Sequence, residues 1–220
     1  MKIKQRFSES DLQRIKDTVA KAEGNISGEI VPVIVERSGQ YLITNYKSSL
    51  IGASIAFMKM IILDRYILSD ASSALFYDPV FIFFMVIMGG IIGALIPTFS
   101  DKIKRMLVSR GYLDNATRQR AENAFLEEEV FNTRHRTGIL IFISFFEHKV
   151  IVMADKGISS IVEQKEWDNI VANLIEAIRS GNIVAGLERG IIRCGEILLE
   201  KGFLKEADDT NELSDDLRID

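Results

Sequence analysis

The sequence predicts an α/β fold: a small central sheet with helices on both faces, interrupted by a transmembrane helical hairpin. Three observations carry this. Segments 29–36, 138–146 and 149–154 read as strands, and each is apolar along most of its length, so both faces of the sheet must be covered. Amphipathic helical patterns flank those strands on either side in the chain. Segment 80–99 contains no charged side chain, and its roughly twenty residues at about 1.5 Å rise cross a bilayer core of roughly 30 Å.

The chain begins with a helix. Ser8 and Asp11 have the spacing of a capping box, with Asp in place of the usual Glu or Gln. Leu12, Ile15, Val19 and Ala22 follow at helical spacing, and Gly24-Asn25 ends the run. The first strand contains Pro32, which cannot donate to a ladder, so it predicts an edge strand or a bulge.

Next come the two spans, at about 43–63 and 80–99. Lys47 and Lys59 lie in the first span and would snorkel towards opposite interfaces. The intervening loop, about 64–78, carries Asp64, Arg65, Asp70 and Asp78, while Lys102, Lys104, Arg105 and Arg110 follow the second span. The positive-inside rule then places both termini in the cytoplasm and the loop outside. Gly89, Gly90 and Gly93 either let the two helices approach closely or are ordinary glycines of a membrane helix.

A helix is expected over 115–132. The acidic run Glu127-Glu128-Glu129 within it reads as a solvated face, since consecutive helical residues do not point at one ligand. The next two strands are separated only by Glu147-His148 and should form an antiparallel hairpin with Glu147 exposed in the turn. A helical stretch starting at Ser159 or Ser160 contains Trp167, Ile170 and Leu174, and a further amphipathic helix covers 183–201. Segment 204–220 is acidic with few large apolar residues, so it is expected to be disordered. The expected organisation is thus a discontinuous cytoplasmic domain, 1–40 with 112–203, around a hairpin at 43–101.

Composition adds limits. The net charge of -4 gives no general reason to expect a nucleic-acid partner. The single cysteine, Cys194, excludes an internal disulfide framework and reads as a core residue of a helix. The charged first residues lack the apolar region of a cleavable signal peptide. No P-loop, Gly-x-Gly-x-x-Gly, Cys-x-x-Cys or His-Glu-x-x-His pattern occurs, and His135 and His148 read as loop-surface residues. The better chemical candidates are Asp155 and Glu36, each directly after a strand. Such carboxylates can hold a hard cation, Ca²⁺ or Mg²⁺, through oxygen ligands, or can simply shape a turn.

Three blocks resemble a known family. They are Ser27-Gly28-Glu29-Ile30-Val31-Pro32-Val33, then Arg136-Thr137-Gly138-Ile139-Leu140-Ile141-Phe142-Ile143-Ser144, then Val150-Ile151-Val152-Met153-Ala154-Asp155-Lys156-Gly157-Ile158, with Trp167 downstream. In this order they resemble the TPM domain family, which includes a thylakoid lumen acid phosphatase and many membrane-anchored bacterial proteins. The resemblance implies an α/β sandwich. It also implies Asp155 as a metal residue, because phosphatase activity and divalent-cation binding are ascribed to some relatives. The hairpin inserted after the first strand differs from the terminal anchor of the thylakoid-type members.

Two functions are therefore expected. One is a binding or assembly and maintenance module at the cytoplasmic membrane face, with the lipid bilayer and a membrane protein as partners. The other is a divalent-cation-dependent, phosphatase-like hydrolase.

Overall fold

A computed structural model describes residues 3–66, 78–205 and 210–220. The loop expected between the two spans falls mostly outside these residues. The chain divides into two compact units, Met1–Gly39 with Asp114–Asp220, and Gln40–Leu113.

The first unit is built on a sheet of β1 (Glu29–Val35), β2 (Gly138–Ser144), β3 (Lys149–Ala154) and β4 (Arg218–Ile219), in the order β3-β2-β1-β4. β1 runs parallel to β2 and β4, and β2 and β3 form the expected antiparallel hairpin. Alternate side chains supply two cores, which is why the strands are apolar on both faces. On one face Ile30, Ile34, Ile139, Ile141 and Ile143 pack in one cluster with Ile15 and Val19 of α1 (Glu9–Glu23). The same cluster takes in Trp167, Ile170 and Leu174 of α7 (Gln164–Arg179) and Leu187, Ile191 and Cys194 of α8 (Ile183–Glu200). On the other face Val31, Val33, Val35, Leu140 and Phe142 pack with Ala121 and Ala124 of α5 (Arg110–Glu127) and with Val130. Small alanines bring α5 close to the sheet.

Local signals place several boundaries. The capping box is present: Asp11 N–H donates to Ser8 Oγ at 3.2 Å, and Ser8 N–H donates to Asp11 Oδ2 at 3.0 Å. The helix expected over 115–132 starts earlier and stops at Glu127. Glu129 turns the chain with φ 54°, and the Val130 N–H then donates back to the Phe125 carbonyl at 3.0 Å, a helix-ending arrangement that drops Val130 into the core. The stretch expected from Ser159 or Ser160 is split: α6 (Lys156–Ser159) is a single turn, and α7 begins only at Gln164.

Two expectations are corrected. The segment 204–220 is not disordered where it is described, over 210–220. Asp220 N–H donates to the Ile34 carbonyl at 3.0 Å, and Glu36 N–H donates to the Asp220 carbonyl at 3.0 Å. Leu213, Leu217 and Ile219 reach the cores, so a few apolar residues in an acidic tail suffice when an open strand edge awaits them. β1 is therefore an interior strand despite Pro32. The proline is tolerated because, by the two-residue alternation, its missing donor faces the β4 side, where β4 pairs only with Val33 and Ile34.

In the second unit, α2 (Ile43–Tyr66) and α3 (Pro79–Phe99) pack side by side, followed by α4 (Asp101–Leu107). A Cβ on Gly52 would lie 2.3 Å from the Gly89 carbonyl oxygen, and one on Gly93 would lie 2.3 Å from that of Ser48. Only glycine lets these two helices come so close. Asn45 Nδ2 donates across them to the Ala94 carbonyl at 3.1 Å. The outward faces are apolar: Leu50, Ile55 and Phe57 on α2, and Phe83, Phe84, Ile91, Ile92 and Leu95 on α3, are all exposed.

Candidate functional site

Glu23, Glu29 and Asp155 lie at one end of the sheet, where β1 and β2 begin and β3 ends. Glu29 opens β1, opposite Gly138. It is buried among the tail and the end of α1. Its Oε1 accepts the Glu212 N–H at 3.1 Å, while Oε2 is buried and makes no hydrogen bond of ordinary geometry among the described residues. Glu23, in the last turn of α1, is buried as well, and its Oε1 accepts the Ile30 N–H at 2.7 Å. This carboxylate thus takes the β4-side donor that lies before Pro32. Glu23, Glu29, Asp215, Thr210 and Asn211 border a cavity of about 80 Å³, room for a few waters.

Burial pushes the Glu23 carboxyl up to about 9, against the opposing effect of the Ile30 N–H, and the neighbouring Glu29 and Asp215 charges push the same way. Burial also raises Glu29, with the backbone N–H groups of Glu212 and Leu213 working against it. The cluster lies against the tail, whose Glu212 N–H donates to Glu29 and whose Asp215 borders the same cavity. Its donors are all oxygens, the kind a hard cation prefers. However, no group of three or more His, Cys, Asp or Glu side chains among the described residues converges tightly enough to hold a metal ion.

Asp155 lies at the same end of the sheet, on the β3 side. Its Oδ1 accepts the Lys156 N–H at 2.7 Å and so caps α6, and Arg136 Nε approaches Oδ2 at 2.8 Å. Oδ2 has no well-aligned hydrogen-bond donor, so that approach is an ion pair. The carboxylate is buried while the arginine is half exposed and lies over the Phe131 ring. Two glycines make this packing feasible. A Cβ on Gly138 would lie 1.9 Å from the Val130 carbonyl oxygen, and one on Gly157 would lie 2.6 Å from that of Arg136.

The remaining candidates separate from Asp155. Glu36 leaves β1 at the opposite end of the sheet, roughly 20 Å away at about 3.3 Å per strand residue, and lies exposed beside Arg37. The two strand-end carboxylates therefore cannot share one cation. His135 and His148 are exposed, as expected. Cys194 is fully buried, and burial pushes its thiol up to about 12, which leaves it unreactive. Glu147 is a correction: it is buried, accepts the Ser38 N–H at 2.9 Å and accepts a hydrogen bond from Ser144 Oγ. A turn only two residues long gave no sign in the sequence that the loop after β1 would fold over it. The Glu23–Glu29 pair was also missed as a cluster, because one member ends a helix and the other lies inside a strand pattern.

Comparison with known proteins fits this geometry. The family model described as TPM domain matches residues 105–197. Over those residues the chain is similar to the TPM domain. The match contains β2, β3 and the Asp155–Arg136 pair. Likeness of fold extends beyond the matched residues. The NMR structure of BA42 protein from the psychrophilic bacterium Bizionia argentinensis is similar with a TM-score of 0.59 at 19% identity, covering 100% of this chain and 99% of that one. At that identity the likeness is one of fold. No curated protein matches.

Proposed function

We propose that this chain is a membrane-anchored TPM-type module that binds a membrane protein and assists its assembly or maintenance at the cytoplasmic face of the cell membrane. The observation that carries the reading is α3: its 21 residues form a helix long and apolar enough to cross a bilayer, and most of it is exposed. α2 supports it as the second pass. Its 24 residues are long enough, it packs on α3 through glycine, and its outward side chains are largely apolar. Lys102, Lys104, Arg105 and Arg110 follow α3, which favours both termini in the cytoplasm.

Binding rather than hydrolysis is favoured by how the carboxylates are used. Asp155 caps a helix and pairs with Arg136, Glu23 accepts from the edge of β1 at Ile30, and Glu29 accepts from the tail at Glu212. Cysteine accessibility in intact cells tests the topology. A probe at Ser72 should be labelled from outside, with probes at Ser8 and Asn211 protected. Labelling at Asn211 from outside overturns the cytoplasmic placement.

A further inference from the structure

A second cavity lies at the opposite end of the sheet from Glu23, Glu29 and Asp155, beside the end of β2, with a volume of about 430 Å³. That is a usual size for a small-molecule site. Its walls are apolar, with Phe145 from the β2–β3 turn and Ile178 from the last turn of α7. Its charged groups are all basic: Arg6, Lys149 and Arg179, with His148 beside them. No carboxylate is among the described residues lining it, in a chain whose net charge is -4. Arg6 lies over the Phe145 ring, 5.2 Å from its centroid, which holds the guanidinium at the mouth. Neither Arg6 nor Arg179 makes an ion pair among the described residues. Lys149 pairs with Asp114 at 2.7 Å, but both side chains are about half exposed and the pair is easily exchanged for another anion.

We propose that this cavity binds an anionic phospholipid. The headgroup phosphate sits between Arg6 and Arg179, where two guanidinium groups give it forked donors. The glycerol and the first acyl carbons lie against Phe145 and Ile178. Charge complementarity selects an anion, and the apolar walls select one with an apolar body. The lipid source rests on the membrane-anchored reading.

The test uses the full chain in a nonionic detergent, titrated with dihexanoyl phosphatidylglycerol and followed by backbone amide NMR shifts. Dihexanoyl phosphatidylcholine and inorganic phosphate are parallel arms. The expected result is saturable binding of the glycerol lipid, with shifts centred on Phe145, His148 and Val150. Binding should weaken at least about tenfold in the Arg6→Gln/Arg179→Gln double variant, the loss of about 1.4 kcal/mol, and stay unchanged in Lys201→Gln. Equal binding of the choline lipid overturns the proposal, because the site is then merely apolar. Phosphate binding as tight as the lipid's overturns it in favour of a soluble anion. Shifts centred elsewhere, in the wild type, overturn it independently of how the variant folds. A short-chain lipid reaches the cavity without a membrane. Lipid binding by a chain that alkaline carbonate strips from membranes therefore sinks the anchoring but leaves the cavity's specificity intact.

Discussion

Glu23 Oε1 accepts the backbone N–H of Ile30 at 2.7 Å, so a side chain ending α1 takes the place of a neighbouring strand beside the first half of β1. The second half of that edge is taken by the tail, through Ile34 and Asp220. Between them lies Pro32, which has no donor to satisfy. One strand edge is thus covered by three different devices, one of which is an acidic side chain.

The first prediction concerns pH. The Glu23 carboxyl is raised from an ordinary 4.5 to about 9 in the folded chain. The folded state therefore holds a proton that the unfolded state has released over that window, and stability falls as pH rises through it, by at most about 1.4 kcal/mol per pH unit. Glu29 shifts in the same direction. Glu23→Gln keeps an acceptor for Ile30 and removes the titration. Thermal midpoints in detergent at about pH 6 and about pH 9 should differ less for the variant than for the wild type. An equal drop in both shows that Glu23 carries none of the effect.

The second prediction concerns the tail. The Asp220 amide, bonded to Ile34, and the Glu36 amide, bonded to Asp220, should be protected from hydrogen exchange. Arg218→Ala should reduce that protection, because Arg218 Nε donates to Glu128 at 2.8 Å in a partly buried setting and helps fix β4. Exchange at the rate of a free peptide would contradict a docked β4.

The strands were legible because a sheet covered on both faces leaves a nearly unbroken apolar run, and β3 has the bounds its sequence suggests. The capping box fixed the start of α1 in the same way. β4 was not legible. It has two residues, Arg218 and Ile219, and it exists because β1 offers an open edge, which is information from elsewhere in the chain. Glu147 and the Glu23–Glu29 pair failed to stand out for a related reason: burial of a single carboxylate is a tertiary fact. Asp155 stands out in the sequence as a carboxylate directly after a strand, whereas nothing in the sequence around Arg136 signals that the two meet.

The third prediction tests the tight approach behind the Thr137-Gly138 block. In Gly138→Ala the new Cβ would meet the Val130 carbonyl oxygen at 1.9 Å, in backbone that cannot swing away. The cost should be about 3 kcal/mol or more, read as a large fall in the thermal midpoint. A fall of only a degree or two contradicts the packing of Val130 against β2.

The fourth prediction concerns Asp155. Asp155→Asn keeps an oxygen to cap α6 but loses the charge that pairs with Arg136. Because Arg136 is half exposed, the loss should be about 1 to 2 kcal/mol. Ca²⁺ or Mg²⁺ should leave the midpoint of wild type and variant unchanged, and neither should release phosphate from a generic phosphomonoester above background. A cation-dependent rise in the wild type that the variant lacks would instead make Asp155 a metal residue.

The membrane anchor is the central claim, and alkaline carbonate extraction of membranes from cells making the full chain tests it most directly. Carbonate strips proteins held by charge or by a partner and leaves those that span the bilayer. The account predicts that the chain stays in the membrane pellet, and that Ile87→Arg with Ile91→Arg, each about 2.5–3.5 kcal/mol near the helix centre, shifts it towards the supernatant. Full release of the unaltered chain into the supernatant would contradict it.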